Sequence, residues 1–289
     1  MSKKERYGLV EFIQRFSNEA CCREYLVAKR WPDGFTCPKC GEKQGYTLTK
    51  GHIQCAACRY QASVTAGTVM HGSHLPLTKW FLAMYLVTQD KRGISAVQLA
   101  RQLDVTYKTA WYLLHRIRNA MGNRNGKHQL FGIVDFDDAY FGGPTVGKKR
   151  GRGTEKAKVF VAASLDDDDR PQHLCMQLTQ NLKQASVKRF ANRCIRKGSV
   201  IRSDDYCSYP PALCDDYTLE TKPYDPSTGQ LHWLHTIVGN AKAFILGTYH
   251  GLPKQNLQSY LDEFCFRFSR RFFYGQLFDR LALAIVSSC

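Results

Sequence analysis

The chain has 289 residues, of which 44% are hydrophobic, so it can bury two or three compact cores and is not disordered throughout. Its 41 Lys and Arg residues outnumber 25 Asp and Glu residues and leave a formal net charge of +16, which favours a polyanionic partner such as DNA or RNA. The longest clean apolar run, Phe81 to Val87, is too short to cross a bilayer, which argues against a membrane protein.

Residues 1–28 are predicted to form an N-terminal helical segment. Met1 to Ala20 has neither the long apolar core nor the small-residue cleavage site of a secretory leader. Together with the charge, this predicts a cytoplasmic protein associated with the nucleoid, in a compartment that keeps thiols reduced.

Two Cys-x-x-Cys pairs predict a zinc ribbon over residues 29–72. The predicted ligands of the structural zinc are Cys37, Cys40, Cys55 and Cys58. This spacing lets four thiolates surround one zinc ion, and so small a unit needs its metal to fold. Two disulfides are the alternative, but they would require an oxidising compartment. The other cysteines show no paired ligand spacing and are predicted to be buried or free thiols.

Apolar residues at helical spacing predict a helix-turn-helix segment over residues 73–122. One amphipathic helix covers Ile94 to Leu103, with Val97 in its apolar stripe, a turn follows at Asp104 and Val105, and Thr106 can cap the next helix. In that arrangement the start of the second helix reads base edges and later arginines contact phosphates. The predicted DNA contacts are Tyr107, Lys108, Thr109, Arg116 and Arg118. The alternative is a helical hairpin that only packs.

Residues 123–129 are rich in Gly, Asn and Arg and are predicted to form a linker, and residues 130–289 form a separate domain. Strands are predicted at Phe131 to Asp138, Lys158 to Leu165 and His173 to Leu178. A helix from Leu182 to Arg196 then leads to a short strand from Val200 to Asp205.

Two of these predicted strands end in pairs of acids. Asp137 and Asp138 end the first, and Asp204 and Asp205 end the last. Carboxylates at adjacent strand ends can hold the divalent cations that clamp a reacting phosphodiester. The alternative is that the acids begin solvated turns, and that interpretation holds for the run from Asp166 to Asp169.

A basic segment lies between the first two predicted strands. It contains Lys148, Lys149, Arg150 and Arg152, with Lys156 and Lys158 beyond them. Such a segment suits phosphate contacts better than base reading. A solvated charged loop is the alternative.

Three sequence blocks carry a family resemblance. Gly132 to Gly143, Ser203-Asp204 and Val238 to Gly251 resemble the three catalytic blocks of zinc-ribbon insertion-sequence transposases of the ISXO-two-like group, and Tyr260 to Phe268 continues the third. By motif order the resemblance extends from Trp31 to Arg271.

The resemblance implies a multidomain α+β protein: a zinc ribbon, a helix-turn-helix bundle and an α/β ribonuclease-H-like catalytic domain with a mixed sheet. It implies a DNA transposase that binds double-stranded transposon ends and target DNA and catalyses metal-dependent strand cleavage and strand transfer. The implied cofactors are structural zinc and catalytic magnesium or manganese, and self-association in a synaptic complex is expected. Asp137, Asp204 and Asn240 stand at the positions of the metal-binding triad, with Lys242 as the associated basic residue.

Geometry constrains these candidates. Strand alternation places Asp135 and Asp137 on one face and Asp138 on the other. Asn240 directly precedes a helical pattern, so it is either a metal ligand or an N-cap. Lys242 follows by roughly 200° of helix rotation, so both can enter one site only if Asn240 begins the helix.

Three further residues have open roles. Asp262 and Glu263 are either additional metal ligands or, as the sequence favours, part of a solvated helix face. His250 could contact the scissile phosphate, although a capping or packing role is favoured.

Two other functions stay open. Asn240 in place of an acid, Asp138 and Ala139 in place of Glu and Thr, and Asp205 in place of Gly allow a catalytically degenerate transposase-derived protein that only binds DNA. Charge and metal chemistry alone would also fit a zinc-ribbon nuclease or RNA-processing factor, which would cleave without joining.

Overall fold

A computed structural model describes residues 8–49, 51–143, 154–223, 229–273 and 275–287. The chain forms two compact units, Met1–Arg124 with Phe272–Cys289, and Asn125–Arg271. The helices are α1 Leu9–Arg15, α2 Glu19–Arg30, α3 Leu77–Gln89, α4 Ala96–Leu103, α5 Tyr107–Asn125, α6 Gln184–Cys194, α7 Pro210–Leu213, α8 His232–Thr248, α9 Leu257–Phe268 and α10 Leu277–Val286. The strands are β1 Gly45–Thr47, β2 Ile53–Cys55, β3 Gln61–Ala62, β4 Ile133–Phe141, β5 Ala157–Leu165, β6 Pro171–Thr179, β7 Val200–Ser203 and β8 Thr218–Thr221.

The C-terminal helix α10 packs in the first unit, with α2 and α3. The Phe278 ring lies 5.1 Å from the Phe12 ring and 5.8 Å from the Phe81 ring, in a cluster that also includes Phe16 and Tyr25. The prediction that residues 130–289 form one domain is therefore wrong for residues 272–289. The physical reason is burial of the apolar face of α10 among these aromatic rings.

A helix-turn-helix forms as the sequence predicted. Ser95 caps α4 through the Gln98 N–H at 3.2 Å, and Thr106 caps α5 through the Thr109 N–H at 3.2 Å. Asp104 turns the chain in the left-handed region with φ 48°. Val97, predicted in the apolar stripe, is instead 49% exposed. The predicted linker begins inside a helix, because α5 continues to Asn125.

A mixed five-stranded sheet, in the order β6-β5-β4-β7-β8, forms the second unit. β4, β5 and β6 are antiparallel neighbours, while β7 and β8 run parallel to β4. This is the predicted ribonuclease-H-like arrangement, and the predicted fold class is confirmed. Helices α8 and α9 cover one face of the sheet, and α6 and α7 cover the other.

Two local predictions about this unit are wrong. β4 does not end in its acids but continues to Phe141, because pairing with β5 extends to Phe141 opposite Ala157. Cys175 of β6 and Cys194 of α6 form a disulfide, where free thiols were predicted. Among the described residues, no helix combines the length and the apolarity that crossing a bilayer requires.

Candidate active site

The acids of β4 lie on both faces of the sheet. Ala139 and Phe141 belong to the core under α8 and α9, whereas Val134 and Phe136 belong to the core under α6 and α7. Strand alternation therefore places Asp135 and Asp137 on the α8 face and Asp138 on the opposite face, as the sequence predicted. The Tyr209 hydroxyl on that opposite face donates to the Asp138 carboxylate at 3.0 Å.

The strand register brings Asp204 beside Asp137. β4 and β7 are parallel, and Phe136 pairs with Ser203 at the end of β7. Asp137 and Asp204 are the residues that follow this pair. Neighbouring strands are about 4.8 Å apart, so the two predicted acids lie at adjacent positions on the edge where β7 ends.

His235, in the first turn of α8, faces the same acids. Its Nε2 lies 3.4 Å from Oδ2 of Asp137, and 40% of its side chain is exposed against 20% for Asp137. The hydrogen bond to Asp137 raises the pKa of His235, and the negative charges of Asp135 and Asp204 raise it further. Burial of the imidazole opposes this rise. The imidazole is thus in the electrostatic field of three acids. Our reading of the sequence missed His235.

Lys242 shares the helix face of His235. The two residues are about two helical turns apart and so point in nearly the same direction. The Lys242 Nζ lies 5.8 Å from the centre of the Phe141 ring, farther along β4 than Asp137. Burial lowers the pKa of Lys242, and the charge of Lys156 adds to this effect. Spacing of a histidine and a lysine on one helix face was the signal that could have revealed His235.

Asn240 lies in the middle of α8 and is exposed. The prediction that Asn240 is an N-cap is wrong, because the helix begins at His232. Asn240 is roughly 140° around the helix from His235, so its side chain leaves the helix on a different face. The structure brings His235, and not Asn240, to the predicted aspartates.

Asp262 and Glu263 are neither solvated nor near these acids. Glu263 is 1% exposed and pairs with Arg267 at 2.9 Å. Burial raises the pKa of Asp262 to about 6, and the Gln258 amide donates to its carboxylate at 2.9 Å. Helix α9 packs on β6, which β5 separates from β4. The favoured prediction of a solvated face is therefore wrong.

His250 lies exposed just beyond the end of α8.

A buried carboxylate, Asp135, adds negative charge beneath the site. It is 6% exposed, and burial raises its pKa to about 6, although the positive charge of Arg202 opposes this rise. Arg202 in turn pairs with Asp169 at 2.8 Å and Glu220 at 3.4 Å. The field at Asp137 is therefore negative, which suits a bound cation.

The four predicted zinc ligands converge in the first unit. The sulfur atoms of Cys37, Cys40, Cys55 and Cys58 all lie within 4.8 Å of one another. Cys37 and Cys58 are 3.7 Å apart and Cys40 and Cys55 are 3.5 Å apart, measured between sulfurs. A Zn–S distance of about 2.3 Å in a tetrahedron requires sulfur separations of about 3.8 Å. The cluster therefore fits a structural zinc ion.

The predicted DNA-contact residues differ in accessibility. Tyr107 is 57% exposed and Lys108 is exposed at the start of α5, while the Thr109 hydroxyl lies 3.0 Å from that of Thr106. Arg116 donates to the carbonyls of Val69 at 3.2 Å and His71 at 3.0 Å. Base contacts by Tyr107, Lys108 and Thr109 stay predictions.

One predicted phosphate contact is wrong. Arg118 is only 2% exposed, so its guanidinium cannot reach a phosphate from this position. The sequence did not single out Tyr112, which follows one turn after Lys108 and is 53% exposed. Lys148, Lys149, Arg150 and Arg152 lie outside the described residues.

Two family models and one curated protein match this chain. Residues 129–269 match the family model of the ISXO2-like transposase domain, and residues 17–61 match that of the transposase zinc-ribbon domain. A protein in the transposable element ISH50 of Halobacterium salinarum is 26% identical over 281 residues, which cover 88% of this chain and 92% of that protein.

Solved structures of Mos1 are also similar. The Mos1 strand transfer complex matches 72% of this chain and 77% of its own at 15% identity and a TM-score of 0.29. The Mos1 mariner paired end complex with Mn matches 72% of this chain and 78% of its own, at 13% identity and a TM-score of 0.30. At such scores the correspondence is loose, and the fold assignment rests on the strand order described above.

Proposed function

The chain belongs to the ISXO2-like transposase family, and we propose that it cleaves insertion-sequence ends and joins them to target DNA by metal-dependent phosphoryl transfer. The observation that supports this most directly is the convergence of Asp137, Asp204 and His235 at one edge of the sheet. Two carboxylates and an imidazole are a recognised donor set for divalent cations.

Asp137 and Asp204 would hold the divalent cation, with His235 as a third ligand in place of the predicted Asn240. Mg²⁺ prefers oxygen donors alone, so the imidazole nitrogen shifts the preference of the site towards Mn²⁺. When bound, such a cation supplies a nucleophile at neutral pH and neutralises charge on the phosphodiester.

Other residues of the chain would support this cation. Asp137 and Asp204 would fix its position against the reacting phosphate, and the negative charge of Asp135 behind them strengthens cation binding. Lys242, on the same helix face as His235, is placed to contact a neighbouring phosphate of the bound strand.

Recognition of DNA would belong to the first unit. The net charge of +16 favours duplex DNA over neutral partners, and Tyr107 and Lys108 are exposed at the end of α5 that helix-turn-helix proteins place in the major groove. The basic residues Lys148, Lys149, Arg150 and Arg152 are proposed phosphate contacts. Joining two ends to one target requires that two copies associate in a synaptic complex.

The test is an assay with a labelled duplex that carries the element's own end, a target plasmid, and Mg²⁺ or Mn²⁺. We expect products in which the labelled end is joined to the plasmid, and none with a chelator. End binding without cleavage under either metal would favour the degenerate DNA-binding protein. Cleavage without joining would favour a nuclease.

His235→Ala is expected to slow cleavage and joining by about 100-fold, since loss of a metal contact costs at least as much as loss of its supporting hydrogen bond. Asn240→Ala is expected to change the rate by no more than about twofold, because Asn240 is exposed on another face of α8. Single-turnover rates at saturating DNA provide the measurement.

The matched control for this comparison is His232→Ala, which removes an exposed histidine three residues earlier on the same helix. It should retain the wild-type rate. A large loss in Asn240→Ala together with a wild-type rate in His235→Ala would restore Asn240 as the ligand and remove His235.

A further inference from the structure

The loop after β7 carries Asp204, and it lies beyond the last paired position of the β4–β7 ladder. That last pair is Phe136 and Ser203. The carbonyl of Ser203 also accepts a hydrogen bond from the Gln230 side-chain amide at 3.2 Å. Ladder pairing thus fixes the residue before Asp204 but does not extend to Asp204 itself.

Tyr209 returns this loop to the sheet. It is 0% exposed, and its ring packs edge-on against Phe136 at 4.9 Å and Tyr206 at 5.2 Å. Its hydroxyl donates to the Asp138 carboxylate at 3.0 Å. A hydrogen bond to a charged acceptor is stronger than one between neutral groups, so this contact ties the loop to β4.

Asp138 extends that tie to the site on the other face. Its backbone N–H donates to Oδ1 of Asp137 at 2.7 Å, while its side chain accepts from Tyr209. One residue therefore connects the loop that follows Asp204 with the carboxylate of Asp137, through the thickness of the sheet.

We propose that Tyr209 and Asp138 are positioning residues that hold Asp204 and Asp137 at the separation a shared divalent cation requires. The inference rests on the proposed function, since it takes these two acids as ligands. Oxygen ligands lie within a narrow range near 2.1 Å from Mg²⁺. Movement of the loop by an ångström therefore weakens the binding free energy of the cation. The hydroxyl limits that movement without touching the cation.

Tyr209→Phe removes the hydroxyl and keeps the ring in the core. We expect the Kd for Mn²⁺ to rise about tenfold, as is typical when an outer hydrogen bond that orients a ligand is lost. The measurement is free Mn²⁺ by electron paramagnetic resonance, with the full-length, zinc-loaded protein and no DNA, so that turnover plays no part.

Tyr217→Phe is the matched control. Tyr217 lies in the same core, and its hydroxyl donates to the Ile195 carbonyl at 3.2 Å, away from both acids. We expect it to lower the melting temperature by an amount comparable to Tyr209→Phe while leaving Mn²⁺ affinity at the wild-type value. An equal loss of Mn²⁺ affinity in both variants would overturn the proposal, because general loosening of the core would then explain the effect.

A double-mutant cycle tests the pairing. In an Asp138→Ala background, Tyr209→Phe should add no further rise in the Kd, because its partner is gone. Additive effects, or an unchanged Kd in Tyr209→Phe, would contradict the proposal. Should Tyr209→Phe fail to fold, Asp138→Ala alone decides in the same titration.

Asp137→Asn and Asp204→Asn separate this inference from the function on which it rests. If both retain wild-type Mn²⁺ binding, the acids are not ligands and the proposed function fails with the inference. If both lose Mn²⁺ while Tyr209→Phe binds it normally, only the positioning role is wrong.

Discussion

Asp137→Asn and Asp204→Asn are each expected to lower the rate of end cleavage and strand joining by about 10³-fold or more, while end binding stays intact. Removal of one neutral donor to a developing charge already costs about 10²–10³-fold, and these substitutions each remove a full ligand charge. The amide has the shape of the carboxylate, so packing is unchanged. The measurements are single-turnover rates on a labelled end and fluorescence anisotropy for end binding.

Stability should not fall together with activity in these variants. Asp135, Asp137 and Asp204 all act on His235 as negative charges, so the metal-free site holds mutually repelling carboxylates. Neutralising Asp204 relieves that repulsion, and we expect its melting temperature without metal to stay level or rise. Neutralising Asp137 also weakens its contact with His235, which offsets the relief, so its melting temperature should stay level. A loss of activity accompanied by a clear drop in melting temperature would instead indicate misfolding.

Asp205→Asn is the matched control for this experiment. It makes the same change one position after Asp204, at a residue whose side chain is exposed. Its cleavage rate should remain close to that of the wild type. If Asp205→Asn loses as much activity as Asp204→Asn, or if Asp137→Asn still cleaves at nearly the wild-type rate, the assignment of the site is wrong.

Local rules predicted several features of the structure because they depend on neighbouring residues alone. The alternation of side chains along a strand separated Asp137 from Asp138, and the short polar side chain of Thr106 marked the start of α5. Cysteine spacing predicted the sulfur cluster. Each of these inferences needed only a few consecutive residues and a known period.

The start of α8 could not be predicted in this way. Gly239 and Asn240 resemble the start of a helix, yet α8 begins at His232. Leu234, Ile237 and Ala241 are buried with β4 and β5 in one core, and this burial outweighs the low helix propensity of Gly239. Because the helix starts earlier than predicted, His235 and not Asn240 faces Asp137.

The packing position of α10 could not be predicted from the sequence either. Its apolar residues predicted a docked element, but no local rule says which core receives it. Phe278 packs against Phe12, at the other end of the chain, and such a pairing depends on the whole tertiary arrangement.

Removal of the zinc is expected to unfold the ribbon and to weaken end binding by at least 100-fold, because structural zinc supplies about 10–16 kcal/mol of apparent folding free energy in small fingers. Strands β1 and β2 have three residues each and β3 has two, and β1 is exposed along its length. So small a sheet buries too little apolar surface to persist alone. Cys55→Ser, at a fully buried ligand, should have the same effect as a chelator.

Cys214→Ser, at an exposed cysteine of the second unit, controls for loss of a thiol and should bind ends normally. The Mn²⁺ affinity of Cys55→Ser should equal that of the wild type, because Asp137, Asp204 and His235 belong to a separate compact unit. Cleavage should therefore fail through DNA affinity: the DNA concentration needed for half-maximal rate rises, while the rate at saturating DNA recovers. A fall in the saturated rate itself, with Mn²⁺ binding intact, would mean that the ribbon acts in the chemical step and not only in recognition of the end.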